Sequence, residues 1–332
     1  MPASEYRSVR RFSVVKRFIL IASASLIIVT ALAGCALAGD RLNIIATIFA
    51  PYDLARVIAG DRADVAMLIS PGAESHSFEP APQDIITIMS SDVFIYVGGD
   101  SDSWVDRLLG SMNTEQMKII SLMECVDPVG EEIVEGMEHD RLHDHDHHDH
   151  DHDEGGISYD EHVWTSPKNA MLIVRKIADA LCGADERNAD FYRQNAAAYI
   201  EKLEELDAAF QAVVDGAVRN TVVFGDRFPF RYFADAYGLE YFAAFPGCST
   251  ETEPSARTVA FLIDKVKAEK IPVIFHIELS NEKMADTISE ETGAKKRLLH
   301  SSHNITRDDF QKGFGYLDLM TRNIEALREA LH

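Results

Sequence analysis

Two parallel-sheet α/β lobes joined by a long rigid helix make up the fold the sequence predicts, and three observations carry it. From Arg41 onward, short and nearly continuous apolar runs alternate with longer amphipathic ones, the pattern of strands covered on both faces and linked by crossover helices. That alternation occurs twice, on either side of a helical stretch longer than any crossover needs. Histidines and carboxylates follow the predicted strands in both halves, where open parallel sheets bind their ligands.

In the first half, strands are expected at residues 42–48, 64–70, 93–98 and 117–122, each too apolar to face water. Helices fill the intervals at 51–59 and 82–90, with a shorter one at 104–110. Ser166 and Pro167 make a helix start: a hydroxyl able to accept from an unpaired N–H, then a ring whose fixed φ suits the first helical position. That helix carries Ile173, Ile177 and Leu181 and is expected to stop at Gly183. Asp185 opens a second one through Tyr192, Tyr199, Leu203, Leu206, Phe210 and Val213 to Gly216. At about 1.5 Å per residue it reaches roughly 45 Å, enough to brace both lobes. The second half repeats the first, with strands at 221–224, 241–245, 273–277 and 296–299 and helices at 258–269, 283–292 and 309–331.

The segment 1–35 stands apart from this pattern. Arg7, Arg10, Arg11, Lys16 and Arg17 precede an apolar run at 18–32 that is too short for a comfortable membrane span, as in a signal peptide. Leu32-Ala33-Gly34-Cys35 resembles the lipobox of bacterial lipoproteins, which implies lipidation at Cys35 and an acyl tether on the outer face of a membrane. The predicted organisation is therefore a lipoprotein signal peptide at 1–35, an N-terminal lobe at 36–165, connecting helices at 166–217 and a C-terminal lobe at 218–332. Three further cysteines, Cys125, Cys182 and Cys248, match no zinc-thiolate spacing and are expected to be structural.

The chain of 332 residues is 46% hydrophobic, ordinary for a globular protein, yet carries a formal charge of -22. Such a charge repels nucleic acid and anionic surfaces and favours a cation. Within the predicted N-terminal lobe lies an acidic run with His139, His143, His145, His147, His148, His150 and His152. With almost no apolar residue it cannot offset the entropy of ordering, so a mobile accessory loop over 139–154 is expected. Imidazole and carboxylate at this density suit zinc, with nickel and copper as chemical competitors.

The strand-end rule yields His76 after the second strand, His162 after the fourth and past the acidic loop, Asp226 after the fifth, Glu278 after the seventh, and His300 after the eighth, with His303 three residues on. Each also has a local reading. His76 suits a surface loop and His162, beside Val163 and Trp164, suits a core histidine; Asp226 suits a side-chain turn and Glu278 a salt bridge.

Two stretches narrow the choice. Pro71-Gly72-Ala73-Glu74-Ser75-His76-Ser77-Phe78-Glu79-Pro80 and Asp160-Glu161-His162-Val163-Trp164-Thr165-Ser166-Pro167-Lys168-Asn169-Ala170 together closely resemble the substrate-binding lipoproteins of zinc and manganese ABC importers. The resemblance extends over nearly the whole chain after Cys35 and includes the acidic His-rich loop. It implies two α/β lobes bridged by a rigid helix, one metal bound in the interlobe cleft, and partners in a permease and, through it, an ATPase, with the protein acting as a monomer. Carried over by position, His76 and His162 fall on two histidine ligands of the N-terminal lobe. The third ligand lies in 224–233, where no histidine is present and Asp226 is the nearest candidate. His300 falls on the fourth position, an aspartate in relatives, and Glu278 on a cleft carboxylate that ligates or orients an imidazole.

The expected donor set is thus His76, His162, His300 and Asp226, with Glu278 as a further ligand or orienting partner. Three imidazoles and one carboxylate suit tetrahedral zinc better than manganese, which stands as the alternative cargo. A metallo-enzyme lacks support, because the chain has no His-Glu-x-x-His helix and no nucleophile elbow. A surface adhesin or metal buffer is the other alternative.

Overall fold

The computed structural model describes residues 41–73, 78–137, 158–249 and 254–332, so Cys35 with its signal segment, His76, and the loop histidines His139, His143, His145, His147, His148, His150 and His152 lie outside the described residues. Within Leu42–His332, β1 (Leu42–Ala46), β2 (Ala63–Met67), β3 (Val93–Tyr96) and β4 (Lys118–Ser121) form one parallel sheet in the order β2-β1-β3-β4. A second parallel sheet repeats that order, β6-β5-β7-β8, from β5 (Thr221–Phe228), β6 (Glu240–Pro246), β7 (Val273–His276) and β8 (Lys295–Leu298). In both, the winding direction reverses next to the first strand, so the carboxyl ends of β1 and β3 and of β5 and β7 open onto crevices.

The first sheet is covered by α1 (Phe49–Ala59), α2 (Pro82–Met89) and α3 (Ser103–Leu109), the second by α7 (Ala256–Glu269), α8 (Lys283–Thr292) and α10 (Tyr316–Leu331), with α4 (Pro167–Ala184), α5 (Ala189–Asp215) and the short α6 (Arg231–Tyr237) between, while α9 (Arg307–Gln311) sets Phe310 against Tyr52 of α1. In the 27-residue α5, Tyr192, Tyr199, Leu203, Leu206, Phe210 and Val213 are buried, the three-to-four spacing of a helix with one apolar stripe. It packs on α1 and α4 on one side and on α6 and α10 on the other. One hydrophobic core therefore runs unbroken from Ile44 and Leu54 through α5 to Phe224 and Tyr316.

Four local expectations shift. Residues 309–331 are two helices, because Gly313 turns at φ +79 and the Tyr316 N–H donates to the buried Asp53 carboxylate at 2.7 Å, opening a new start. The helix α6 was not foreshadowed by any long amphipathic run; it is two turns long and ends at Gly238 in the left-handed region. Ser166 stands at the start of α4 with no side-chain capping bond, so Pro167 carries that start alone. Strand β5 runs on to Phe228, with its register against β6 shifted between Phe224 and Arg227, which places Asp226 within an irregular strand end.

At the carboxyl end of β3, the Val97 and Gly98 N–H groups donate to Asp102 Oδ2 at 2.8 and 3.1 Å. Burial pushes this carboxyl up to about 6, against the pull of those two N–H groups. A carboxyl protonated to higher pH when folded than when unfolded stabilises the fold at low pH and loses that contribution as pH rises through about 6. The expected loss is on the order of 2 kcal/mol after allowance for partial exposure. Asp102→Asn keeps an oxygen for both donors, so urea midpoints at pH 5 and pH 8 should differ less than in the parent; an unchanged difference excludes Asp102 as the cause.

Candidate metal centre

A cleft of about 330 Å³ opens where the two sheets' carboxyl ends meet, lined by His162, Asp226, Glu278 and His303 together with the Gly72–Ala73 backbone and Asn304. The structure thus brings together three of the five residues expected there and adds one.

His162 is 1% exposed, held where the chain leaves the first lobe. Its backbone N–H donates to Asp160 Oδ1 at 2.8 Å, and its Nδ1 lies 3.2 Å from the same oxygen. An Nδ1–H donated to a carboxylate fixes the tautomer whose Nε2 carries the lone pair a cation takes. Burial alone would lower the affinity of this ring for a proton; Asp160 and the Cys248 thiol outweigh it, and the His162 pKa is raised well above the ordinary 6.5. Asp160 is itself tied down, its carbonyl accepting from Tyr232 Oη at 2.8 Å. Gly247 closes against this group. A Cβ there would lie 2.8 Å from the Phe228 carbonyl oxygen and 3.2 Å from His162 Nδ1, so only glycine passes.

His303 faces His162, with ring centroids 5.3 Å apart. Trp164 completes a triangle, 5.5 Å from His162 and 5.3 Å from His303. Its indole is fully buried and donates from Nε1 to the Ser301 carbonyl at 2.8 Å, while its own carbonyl accepts from Tyr316 Oη at 2.7 Å. One aromatic plate therefore sets the spacing of two imidazoles that belong to different lobes.

His300 adjoins the cleft-lining Ser301 and Glu278, and its Nε2 is buried with no hydrogen-bond partner among the described residues. His300 itself is buried and absent from the cleft lining; its Nδ1 accepts the Ser302 N–H at 3.0 Å, and its backbone N–H and carbonyl are both held by Asn323 at 2.8 Å. Ser302, at φ +58, stands between the two histidines, of which His303 lines the cleft. Glu278 drives this loop. Its oxygens accept from the Ser301 N–H and hydroxyl at 2.8 and 2.7 Å and from the His303 N–H at 3.1 Å. A carboxylate so held can orient the imidazoles of its loop, and Oε2, which accepts only the Ser301 N–H in these bonds, keeps a lone pair for a cation. Asp226 lines the cleft while its oxygens accept from the Arg227 and Ile277 N–H groups at 2.8 and 3.2 Å. The local side-chain turn is thus present, and lone pairs remain for a cation.

Asp160 and His303 are the residues that sequence reasoning underused. Asp160 was legible as a carboxylate two residues before a histidine, the reach of a local side-chain turn. Among the described residues no three His, Cys, Asp or Glu side chains form a metal-holding group. The three cysteines after Cys35 are free, and burial pushes the Cys125 thiol up to about 11, so it stays protonated.

Comparison with known proteins adds an independent line. Residues 44–330 match the family model described as zinc-uptake complex component A, periplasmic. The chain is 32% identical over 313 residues to the zinc-binding lipoprotein AdcA of Streptococcus pneumoniae (strain ATCC BAA-255 / R6), covering 94% of this chain but only 60% of that protein. It is 33% identical over 293 residues to the high-affinity zinc uptake system protein ZnuA of Bacillus subtilis (strain 168), covering 88% of each. The crystal structure of the Zn(II)-bound ZnuA-like domain of Streptococcus pneumoniae AdcA superposes with a TM-score of 0.70 at 31% identity, over 88% of this chain and 99% of that one.

Proposed function

We propose, for a chain that belongs to the periplasmic zinc-uptake complex component A family, that it captures Zn2+ outside the cytoplasm and hands it to the permease of an ABC importer. The observation that carries this reading is the pair of imidazoles from different lobes, His162 and His303, spaced by Trp164 in a cleft that Asp226 also lines. With His76, three positions after the cleft-lining Ala73 in sequence, taken as a further donor, the set is three imidazoles and one carboxylate, a tetrahedral nitrogen and oxygen shell that suits zinc over manganese. Zinc is the cargo here. No acid, base or nucleophile beyond these donors is needed for its capture, in keeping with a family of solute-binding proteins.

The Cys35 lipid anchor and the accessory role of the 139–154 histidines belong to the same reading. Among the described residues no helix is long and apolar enough to cross a membrane.

Zinc titration against a chelating dye tests the donor set. His303→Ala should weaken binding by at least about 100-fold, more than the 10- to 100-fold typical of residues that merely support a ligand. His300→Asn, which keeps an acceptor near the Ser302 N–H, should stay within about threefold of the parent. The opposite order would return His300 to the site, and equal affinity for manganese would remove the zinc preference.

A further inference from the structure

We infer that Tyr316 is a positioning residue for the cation, a clasp in the second lobe that holds both α1 of the first lobe and the Trp164 plate between the two cleft imidazoles. This rests on the reading of His162 and His303 as donors and goes beyond it, since Tyr316 does not line the cleft.

Tyr316 opens α10, where the first N–H groups have no partner within the helix. Its own N–H finds one in the other lobe, donating to Asp53 Oδ2 of α1 at 2.7 Å. Asp53 is 1% exposed, and its Oδ1 accepts Nε and Nη2 of Arg56 at 3.1 and 2.6 Å. The buried carboxylate is therefore paired, and it also faces the positive end of the α10 dipole. At the other end of the same residue, Tyr316 Oη donates to the Trp164 carbonyl at 2.7 Å. Burial pushes the Tyr316 pKa up, so the hydroxyl keeps its proton and stays a donor. One turn before Asp53, α1 closes the same seam: the Phe49 N–H donates to the His303 carbonyl at 3.3 Å, and Phe49 packs in a buried cluster with Ile305 and Leu319 of the second lobe.

The consequence lies in the spacing of the donors. Trp164 is gripped twice, its indole Nε1 by the Ser301 carbonyl at 2.8 Å and its backbone carbonyl by Tyr316. Ser301 belongs to the loop of His303, whereas the Trp164 backbone belongs to the segment of His162. Each imidazole packs on that indole, His162 at 5.5 Å and His303 at 5.3 Å, so the two grips together set one ring against the other. Without the hydroxyl the Trp164 carbonyl, in a fully buried residue, loses a donor, and a shift of the 163–165 turn relieves that loss. Such a shift carries His162, two residues before Trp164, away from His303 while the core of each lobe stays in place.

The full chain carrying Tyr316→Phe tests this, with Tyr192→Phe as its match. Tyr192 is as fully buried as Tyr316 and also donates from Oη, but to Asp185 Oδ2 at 3.2 Å, just ahead of α5, rather than to Trp164. Both variants lose one buried hydroxyl bond, so both should lower the melting midpoint of the metal-free protein. Only Tyr316→Phe should bind zinc more weakly, about 10- to 100-fold by chelator competition, with an altered visible spectrum of the Co2+-loaded protein. Should Tyr316→Phe fail to fold, Asp53→Asn carries the test: it loosens Tyr316 from the backbone end while keeping an oxygen for the N–H, and should move zinc affinity and the Co2+ spectrum in the same direction. Zinc affinity within about twofold of the parent in the variant that folds overturns the inference, as does an equal weakening in Tyr192→Phe or an unaltered Co2+ spectrum. His162→Ala run in parallel separates the levels: zinc lost there but kept in Tyr316→Phe overturns the clasp alone, and zinc kept in both overturns the donors on which it rests.

Discussion

Replacing His162 with alanine is expected to abolish the tight zinc site, raising the dissociation constant at least ~100-fold while leaving the fold intact. The imidazole is the most constrained donor in the cleft, tied through Nδ1 to Asp160 and packed against Trp164. Its loss removes a ligand and leaves Asp160 and the Cys248 thiol facing an empty space that water can enter. No buried charge is stranded without a partner, because Asp160 Oδ1 still accepts the backbone N–H of residue 162. Calorimetry at neutral pH reads the outcome. Retention of parental affinity would remove His162 from the donor set and with it the reading of the Asp-Glu-His segment.

Zinc affinity should fall steeply with acidity, and the direction follows from the same contacts. With burial opposing and Asp160 and Cys248 prevailing, His162 holds a proton to well above pH 6.5 in the metal-free protein. Zinc needs the neutral ring and must displace that proton, so each unit of pH below the raised pKa costs about tenfold in affinity per proton displaced. Between pH 7.5 and pH 5.5 the dissociation constant should rise by roughly 100-fold or more, since His303 and His76 must also be neutral. Chelator competition at three pH values and constant ionic strength measures it. Asp160→Asn removes the main group that raises the pKa and should flatten the profile near neutrality. A pH-independent constant in the parent would mean that no imidazole binds the cation.

How far the sequence reached depended on the distance over which each feature is decided. Residues 93–98 read as a strand because they are continuously apolar, and β3 forms at Val93–Tyr96 with every residue buried. The α5 stripe was legible because its apolar residues recur at helical spacing, and the same residues are the buried ones. The break at 313–315 escaped, since Asp53, which receives the Tyr316 N–H, lies 263 positions away. His162 was legible from its motif. Choosing between His300 and His303 was not, as both follow β8 and either suits a ligand.

What the sequence determined by itself was the alternation of strands and helices, the long connecting helix, the placing of histidines and carboxylates at strand ends, and a charge suited to a cation. These are local periodicities and side-chain chemistries, written in neighbouring residues. Tertiary structure alone decided which donors converge. Glu278 gathers N–H groups of Ser301, His303 and Asn304; Trp164 holds Ser301 across 137 positions; and Ser302 stands in the left-handed region between His300 and His303. The direction of a side chain in a loop is set by whatever backbone partners the rest of the fold supplies, and those partners are distant in sequence.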